Sequence, residues 1–221
     1  MVWKLRSVLG TRNGTEKPPS NPFATGASGS ISARRGEPAG QVITLPGAAE
    51  ASGANAPAKD DRWKPYAESG TPAWTGLDDI AAADSGFAIK SFIEGAKSAY
   101  EMIVIAFADG NRAMLRNLLS PEVYEGFAAA LDGREKRGEK LTTTFVSIDK
   151  VAIEDAALQG RIAKIKVHFT AQMTTVTRDS SGTVIDGDPD KVVQIDDIWT
   201  FTRDTSSRDP NWKLSVTETA N

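Results

Sequence analysis

The chain has 221 residues, no cysteine, one histidine and a formal net charge of −3. This length allows one domain with a tail or two small domains. The lack of cysteine excludes disulfides, thiolate metal sites and Cys nucleophiles, and one histidine removes most His-cluster chemistry. The absence of cysteine is compatible with a reducing compartment such as a cytoplasm or matrix. Charge is unevenly divided: residues 1–70 carry 9 Lys/Arg against 6 Asp/Glu and residues 71–221 carry 17 against 23, giving +3 and −6. An acidic C-terminal part is a poor match to phosphate backbones, so nucleic acid is not expected as a partner.

Residues 1–9, Met1 to Leu9, are apolar and basic but far short of the roughly 20 residues that span a bilayer. Trp3 beside Lys4 and Arg6 has the order found at the cytoplasmic end of a span, aromatic residue then positive charge, although a plain chain terminus fits as well. Eight of the 11 prolines lie at or before Pro72, and residues 10–77 are rich in Gly, Pro, Ser, Ala and Thr with isolated apolar side chains. Such a stretch buries too little surface to offset its ordering entropy, and it is expected to be a disordered linker. Two short runs within it, Gln41 to Leu45 and Arg62 to Tyr66, are docking peptides or solvated stretches with stray hydrophobes.

Helical signals begin at Asp84 and Ser85, candidate N-caps. After them Ile89, Phe92, Ile93, Ala96, Tyr100, Ile103, Val104 and Phe107 recur at steps of three and four. Lys90, Glu94, Lys97 and Glu101 line the opposite face, and Asp109-Gly110 ends the helix. A short helix follows with Met114, Leu115, Leu118 and Leu119. Ser120, Pro121 and Glu122 then start a third, through a capping hydroxyl, a proline at the first helical position and an acid at the dipole's positive end. It points Val123, Tyr124, Phe127, Ala128 and Leu131 inward and runs out into the charged stretch Asp132 to Lys140.

After Leu141 the apolar period changes to two. Strand one, around Thr143 to Ile153, shifts phase between Val146/Ile148 and Val151/Ile153, which predicts a bulge at Asp149-Lys150. In strand two Ala163, Ile165, Val167, Phe169, Ala171 and Met173 alternate with Lys164, Lys166, His168, Thr170 and Gln172, one buried face and one wet. Strand three is expected from about Lys191 to Arg203, with Val193, Ile195, Trp199 and Phe201 in phase. Strand four is expected from Trp212 to Thr217. Three helices followed by four long strands imply an α+β fold in which helices cover one face of a curved, antiparallel four-stranded sheet. Such a cone can enclose an apolar pocket.

The residues offer little chemistry. His168 lies among lysines on the wet face. Asp186-Gly-Asp188-Pro-Asp190 resembles the start of a calcium loop but lacks the sixth-position glycine and the closing glutamate, so it predicts a hairpin turn. Asp197 shares the inward phase of Ile195 and Trp199. There a carboxylate would have a raised pKa and could act as a base, with Tyr100 or Tyr124 as donor, unless Asp196-Asp197 straddle a bulge. Phosphate loops, nucleophile elbows and metal-ligand spacings are absent from the sequence, and no cofactor is implied.

Three groups of residues carry a resemblance: Gly86-Phe87 with Phe92; the run from Ala106 through Asp109-Gly-Asn111 and Leu115-Arg-Asn-Leu-Leu-Ser-Pro-Glu-Val-Tyr124; and Ile198-Trp-Thr-Phe-Thr-Arg-Asp204 with Asp209-Pro-Asn-Trp-Lys-Leu214. Over residues 78–221 the chain resembles the family of the mitochondrial import inner membrane translocase subunit 44, its bacterial relatives included. The resemblance implies a nuclear-transport-factor-2-like cone. It also implies peripheral binding to an inner membrane with preference for anionic lipid, protein partners, and a non-catalytic tethering role in protein translocation or membrane-protein biogenesis. Bacterial relatives open with a membrane span ending in a sequence similar to Val2–Gly10, so residues 1–9 are expected to flank a removed anchor on the cytoplasmic face. The chaperone-recruiting region of the mitochondrial members has no matching motif. Membrane-facing candidates are then Lys4, Arg6 and Arg12 with Lys136, Arg137 and Lys140. Pocket candidates are Phe92, Tyr100, Ile103, Phe169, Asp197, Trp199 and Phe201, for an apolar ligand or for a pocket enzyme using Asp197.

Overall fold

A computed structural model describes residues 61–219 of the chain. Lys4, Arg6, Arg12 and the Gln41–Leu45 run lie outside the described residues. Among the described residues four helices precede four strands: α1 Pro72–Ala83, α2 Ile89–Asp109, α3 Arg112–Leu118, α4 Pro121–Lys136, β1 Lys140–Gln159, β2 Ile162–Arg178, β3 Val184–Asp204 and β4 Lys213–Thr219. The strands form one antiparallel meander in the order β1-β2-β3-β4, giving the expected α+β fold.

The first helix is a departure from the expected linker. Thr71 caps it by accepting from the Trp74 N–H, and Pro72 occupies its first turn, where a missing N–H costs nothing. Its buried side carries Ala73, Trp74, Gly76, Leu77 and Ile80. Just before it Trp63 is buried, its indole N–H donating to Asp78 at 2.9 Å while the Arg62 guanidinium lies 4.3 Å over the Trp63 ring. The Arg62–Tyr66 run is therefore part of the fold. The reason it reads as linker is composition: the flanking Pro and Gly hide an apolar spacing that is helical. Gly76 is where α1 meets the sheet, since a Cβ there would sit 1.7 Å from the Ala156 carbonyl oxygen.

Asp84 does not cap α2. It ends α1, accepts from the Gly86 N–H and pairs with Arg203 at 2.8 Å, tying the α1–α2 turn to β3. The α2 helix buries Ile89, Phe92, Ile93, Ala96, Tyr100, Ile103 and Ala106 against the sheet. It stops at Gly110, whose φ of 72° lies in the left-handed region glycine favours. Arg134, in the charged run expected to be solvated, instead reaches back from α4. It donates to the Phe107 and Ala108 carbonyls at 2.9 Å each and stacks over Phe107, so it satisfies open carbonyls at the end of α2.

In β2 the inward residues Ala163, Ile165, Val167, Phe169, Ala171 and Met173 are all buried. In β1 the register slips at three places, one of them between Ile148 and Lys150 where a bulge was expected. Strand three begins earlier than its apolar phase indicated. The tight turn is at Asp179–Thr183, closed by the Asp179 N–H donating to the Thr183 carbonyl. The Asp186–Asp190 run lies within β3 rather than in a turn, with Gly187 at φ 80° pressed against the Thr175 carbonyl.

Candidate functional site

The inward candidates fall into one aromatic cluster. The Tyr100 ring from α2 stacks on Phe169 with centroids 4.7 Å apart and lies 4.5 Å from Trp199. Phe169, Trp199 and Phe201 stand 6.0–6.4 Å from one another, and Phe92 meets Phe201 edge-on at 6.1 Å. Offset and edge-to-face pairs at these separations are favourable and fill space. Ile103 is buried on the same face of α2. Tyr100, Phe169 and Phe201 are fully buried, so the middle of the cone is occupied by side chains.

Asp197 belongs to this cluster. Asp196 and Asp197 pair in unbroken register with Thr170 and Phe169, so no bulge intervenes and Asp197 points inward. The Tyr100 hydroxyl donates to Asp197 Oδ2 at 2.8 Å. Desolvation raises the Asp197 pKa to about 6, an effect the Tyr100 hydrogen bond partly offsets. Burial, then the neighbouring Asp197 charge, push the Tyr100 phenol well above its ordinary range. Tyr124, the other donor considered, instead faces Arg116, whose guanidinium donates to its hydroxyl at 3.1 Å and lies 4.9 Å over its ring.

This pair fixes a pH dependence. The folded Asp197 carboxyl holds its proton up to about pH 6, whereas an unfolded one releases it near pH 4. Between these values the folded state binds more protons, so stability falls as pH rises from about 4 to about 6 and stays lowered above that. A shift of this size corresponds to about 2–3 kcal/mol at most, less for the half-buried position seen here. Asp197→Asn is expected to flatten that window and to be more stable than the parent at pH 7. Urea unfolding at pH 4.5, 5.5 and 7 measures it. An Asp197→Asn curve that runs parallel to the parent's across the window would mean that Asp197 stays solvated in solution.

A surface groove of about 430 Å³ lies between α2 and the segment that carries Trp212. It is lined by Phe87, Phe92, Gly95, Ala99, Met102, Leu118, Phe201 and Trp212, with Arg203 at one side. Of the pocket candidates only Phe92 and Phe201 reach this space. On the wet face of the sheet His168 lies between two carboxylates, Nδ1 3.5 Å from Glu154 and Nε2 3.5 Å from Asp196. Only strand pairing brings those acids to it, and their spacing in sequence gives no hint of the contact. The basic candidates between the end of α4 and the start of β1 divide. Arg137 is held by Glu139 at 2.7 Å, whereas Lys136 and Lys140 are exposed with no carboxylate in ion-pair range among the described residues. Among the described residues no group of His, Asp and Glu could hold a metal ion, and no helix is long and apolar enough to cross a membrane.

Four helices on one face of a meander, closed on an aromatic interior around one tyrosine–aspartate pair, define a small α+β cone domain. The chain belongs to the Tim44-like domain family, whose model matches residues 73–219. It is similar to the human mitochondrial import inner membrane translocase subunit TIM44, 23% identical over 141 residues, covering 62% of this chain and 31% of that protein. It is also similar to the probable subunit tin-44 of Caenorhabditis elegans, 31% identical over 71 residues, or 31% of this chain and 17% of that one. The chain thus spans about a third or less of the length of these relatives. Among solved structures the intermembrane space region of chloroplast protein ARC6 aligns with a TM-score of 0.37 at 13% identity, over 67% of this chain and 96% of that one.

Proposed function

We propose that this domain is a membrane-associated scaffold or tether in protein translocation or membrane-protein biogenesis, acting by binding rather than by catalysis. The observation that carries the reading is the family match over residues 73–219, with relatives named as translocase subunits. The interior supports the binding role. Asp197 and Tyr100, the pair a pocket enzyme would need, are bonded to each other inside a filled cluster. In cells, crosslinking from the surface of the membrane-associated protein should yield adducts with translocation components. Adducts confined to soluble metabolic enzymes would overturn the reading.

The lipid part rests on Lys136 and Lys140, in a domain whose charge is otherwise acidic. Each basic residue near an anionic surface contributes about 1 kcal/mol. The chain is expected to co-sediment weakly with vesicles containing phosphatidylglycerol, and to come off by about 0.5 M salt, where such attraction is screened. Lys136→Glu with Lys140→Glu should weaken the binding, and what remains should be that of the basic residues 1–70. Equal, salt-insensitive binding to neutral vesicles would reject the electrostatic account and favour insertion of the Leu77–Phe107 region. A second reading, an apolar ligand, is favoured by the groove between α2 and Trp212.

A further inference from the structure

Each of the two outermost strands is met at one point by another segment of the chain. The β1 edge receives residue 66, the Ile153 N–H donating to the Tyr66 carbonyl at 2.9 Å, and α1 packs beside it. On β4, Leu119 forms a parallel bridge to Leu214, and the Ser120 N–H donates to the Leu214 carbonyl at 2.8 Å. The β3 strand is different because it outruns β4, which pairs only with Asp197–Thr202. From Val184 to Asp196 the side of β3 away from β2 has no strand against it among the described residues.

A free strand edge is a template for another strand. Part of this one is blunted. Gly187 is kinked against Thr175, and the register slips between Met173 and Thr175 as β3 passes Pro189, devices that discourage pairing. The next stretch is regular. Val193, Gln194, Ile195 and Asp196 pair in unbroken register with Met173, Gln172, Ala171 and Thr170. It lies in line with β4, and Val192 at its head is 47% exposed. Between Val184 and Asp197 the strand carries five aspartates against one lysine. The same edge of a second copy would bring like charge to like charge, whereas a basic strand would be attracted.

We propose that the Val192–Asp196 edge of β3 takes an extended, basic segment of a partner polypeptide as an added strand in line with β4. Main-chain hydrogen bonds hold the segment, and alternate side chains select it. Those on the inner face pack beside Val193 and Ile195. The cations on the outer face meet Asp196, and those beyond the strand's end meet Asp186, Asp188 and Asp190. This inference rests on the edge and its charge, and it is independent of the membrane and translocation reading.

Hydrogen exchange on the whole chain tests it, with a capped heptapeptide alternating lysine and valine as probe and its glutamate–valine counterpart as control. The lysine peptide should slow exchange at alternate amides from Val192 to Asp196 by about tenfold at about 0.05 M salt and much less at about 0.5 M. The glutamate peptide should do nothing there. Val192→Lys, which adds a charge of the kind that guards natural edges, should weaken the lysine peptide about tenfold while leaving β4 protection unchanged. No slowing at those amides, or equal slowing by both peptides, overturns the proposal. Protection present without peptide overturns it too: protection that grows with protein concentration assigns the edge to a second copy, and constant protection assigns it to the chain's own residues.

Discussion

Gly76→Ala is expected to lift α1 off the sheet and to destabilise the domain by about 3 kcal/mol or more, the upper end of overpacking costs. Alanine in place of glycine normally strengthens a helix by about 1 kcal/mol, so the sign here comes from packing alone. The added Cβ would lie 1.7 Å from the Ala156 oxygen and 2.3 Å from its carbonyl carbon, and backbone atoms of a paired strand cannot swing aside as a side-chain tip would. Relief requires the helix to move, which exposes Trp74, Leu77 and Ile80, each worth about 1.5–3 kcal/mol when buried. Gly95→Ala in the middle of α2 is the control. Nothing lies within 4 Å of its Cβ position, and it should stabilise by about 1 kcal/mol. Urea unfolding with hydrogen exchange at α1 amides measures both. Equal effects of the two substitutions would mean that α1 is not seated on Ala156.

Trp199→Ala should cost about 3–5 kcal/mol, the range for truncating a buried aromatic side chain. Trp199 is 5% exposed and touches Tyr100, Phe169 and Phe201 from β3. Its removal leaves a gap between α2 and two strands that no single neighbour fills. The loss should be seen as a shift in the denaturation midpoint at unchanged slope. A cost below about 1 kcal/mol would show that the cluster collapses around the gap. Trp199→Phe, which keeps a ring in place, should cost less than half as much.

How legible the fold was depended on whether a residue's partner lies nearby in sequence. The alternation of β2 from Ala163 to Met173 needs only its own period, and every expected inward residue is buried. The start of α4 needs only Ser120, Pro121 and Glu122, and Ser120 accepts from the Val123 N–H as that pattern implies. The α1 helix was hidden because its apolar spacing, from Ala73 to Ile80, is interrupted by Gly76, and the reason for that glycine lies 80 residues away at Ala156. Asp84 reads as an N-cap until Arg203 arrives from β3. At the candidate site the inward phase of Asp197 was visible. The choice of Tyr100 over Tyr124 was not, because it depends on how α2 and α4 dock. The groove beside Trp212 has no sequence signal, being the space between three elements rather than a property of any one.

The route by which the chain enters the domain has a mechanical consequence. Tension applied on the N-terminal side reaches the sheet through contacts placed in series. First come Arg62 and Trp63 on Asp78, then the Ile153 N–H to the Tyr66 carbonyl, and then Gly76 of α1 against Ala156. The first two can give way while the β1–β2 ladder remains whole, and Tyr100, Trp199 and Phe201 lie behind that ladder. A load drawn on the leading segment would therefore be taken up first as extra length at the Trp63 end of the aromatic interior, before the Tyr100–Trp199 stack feels it, so the entry acts as a slack element for the cone it feeds.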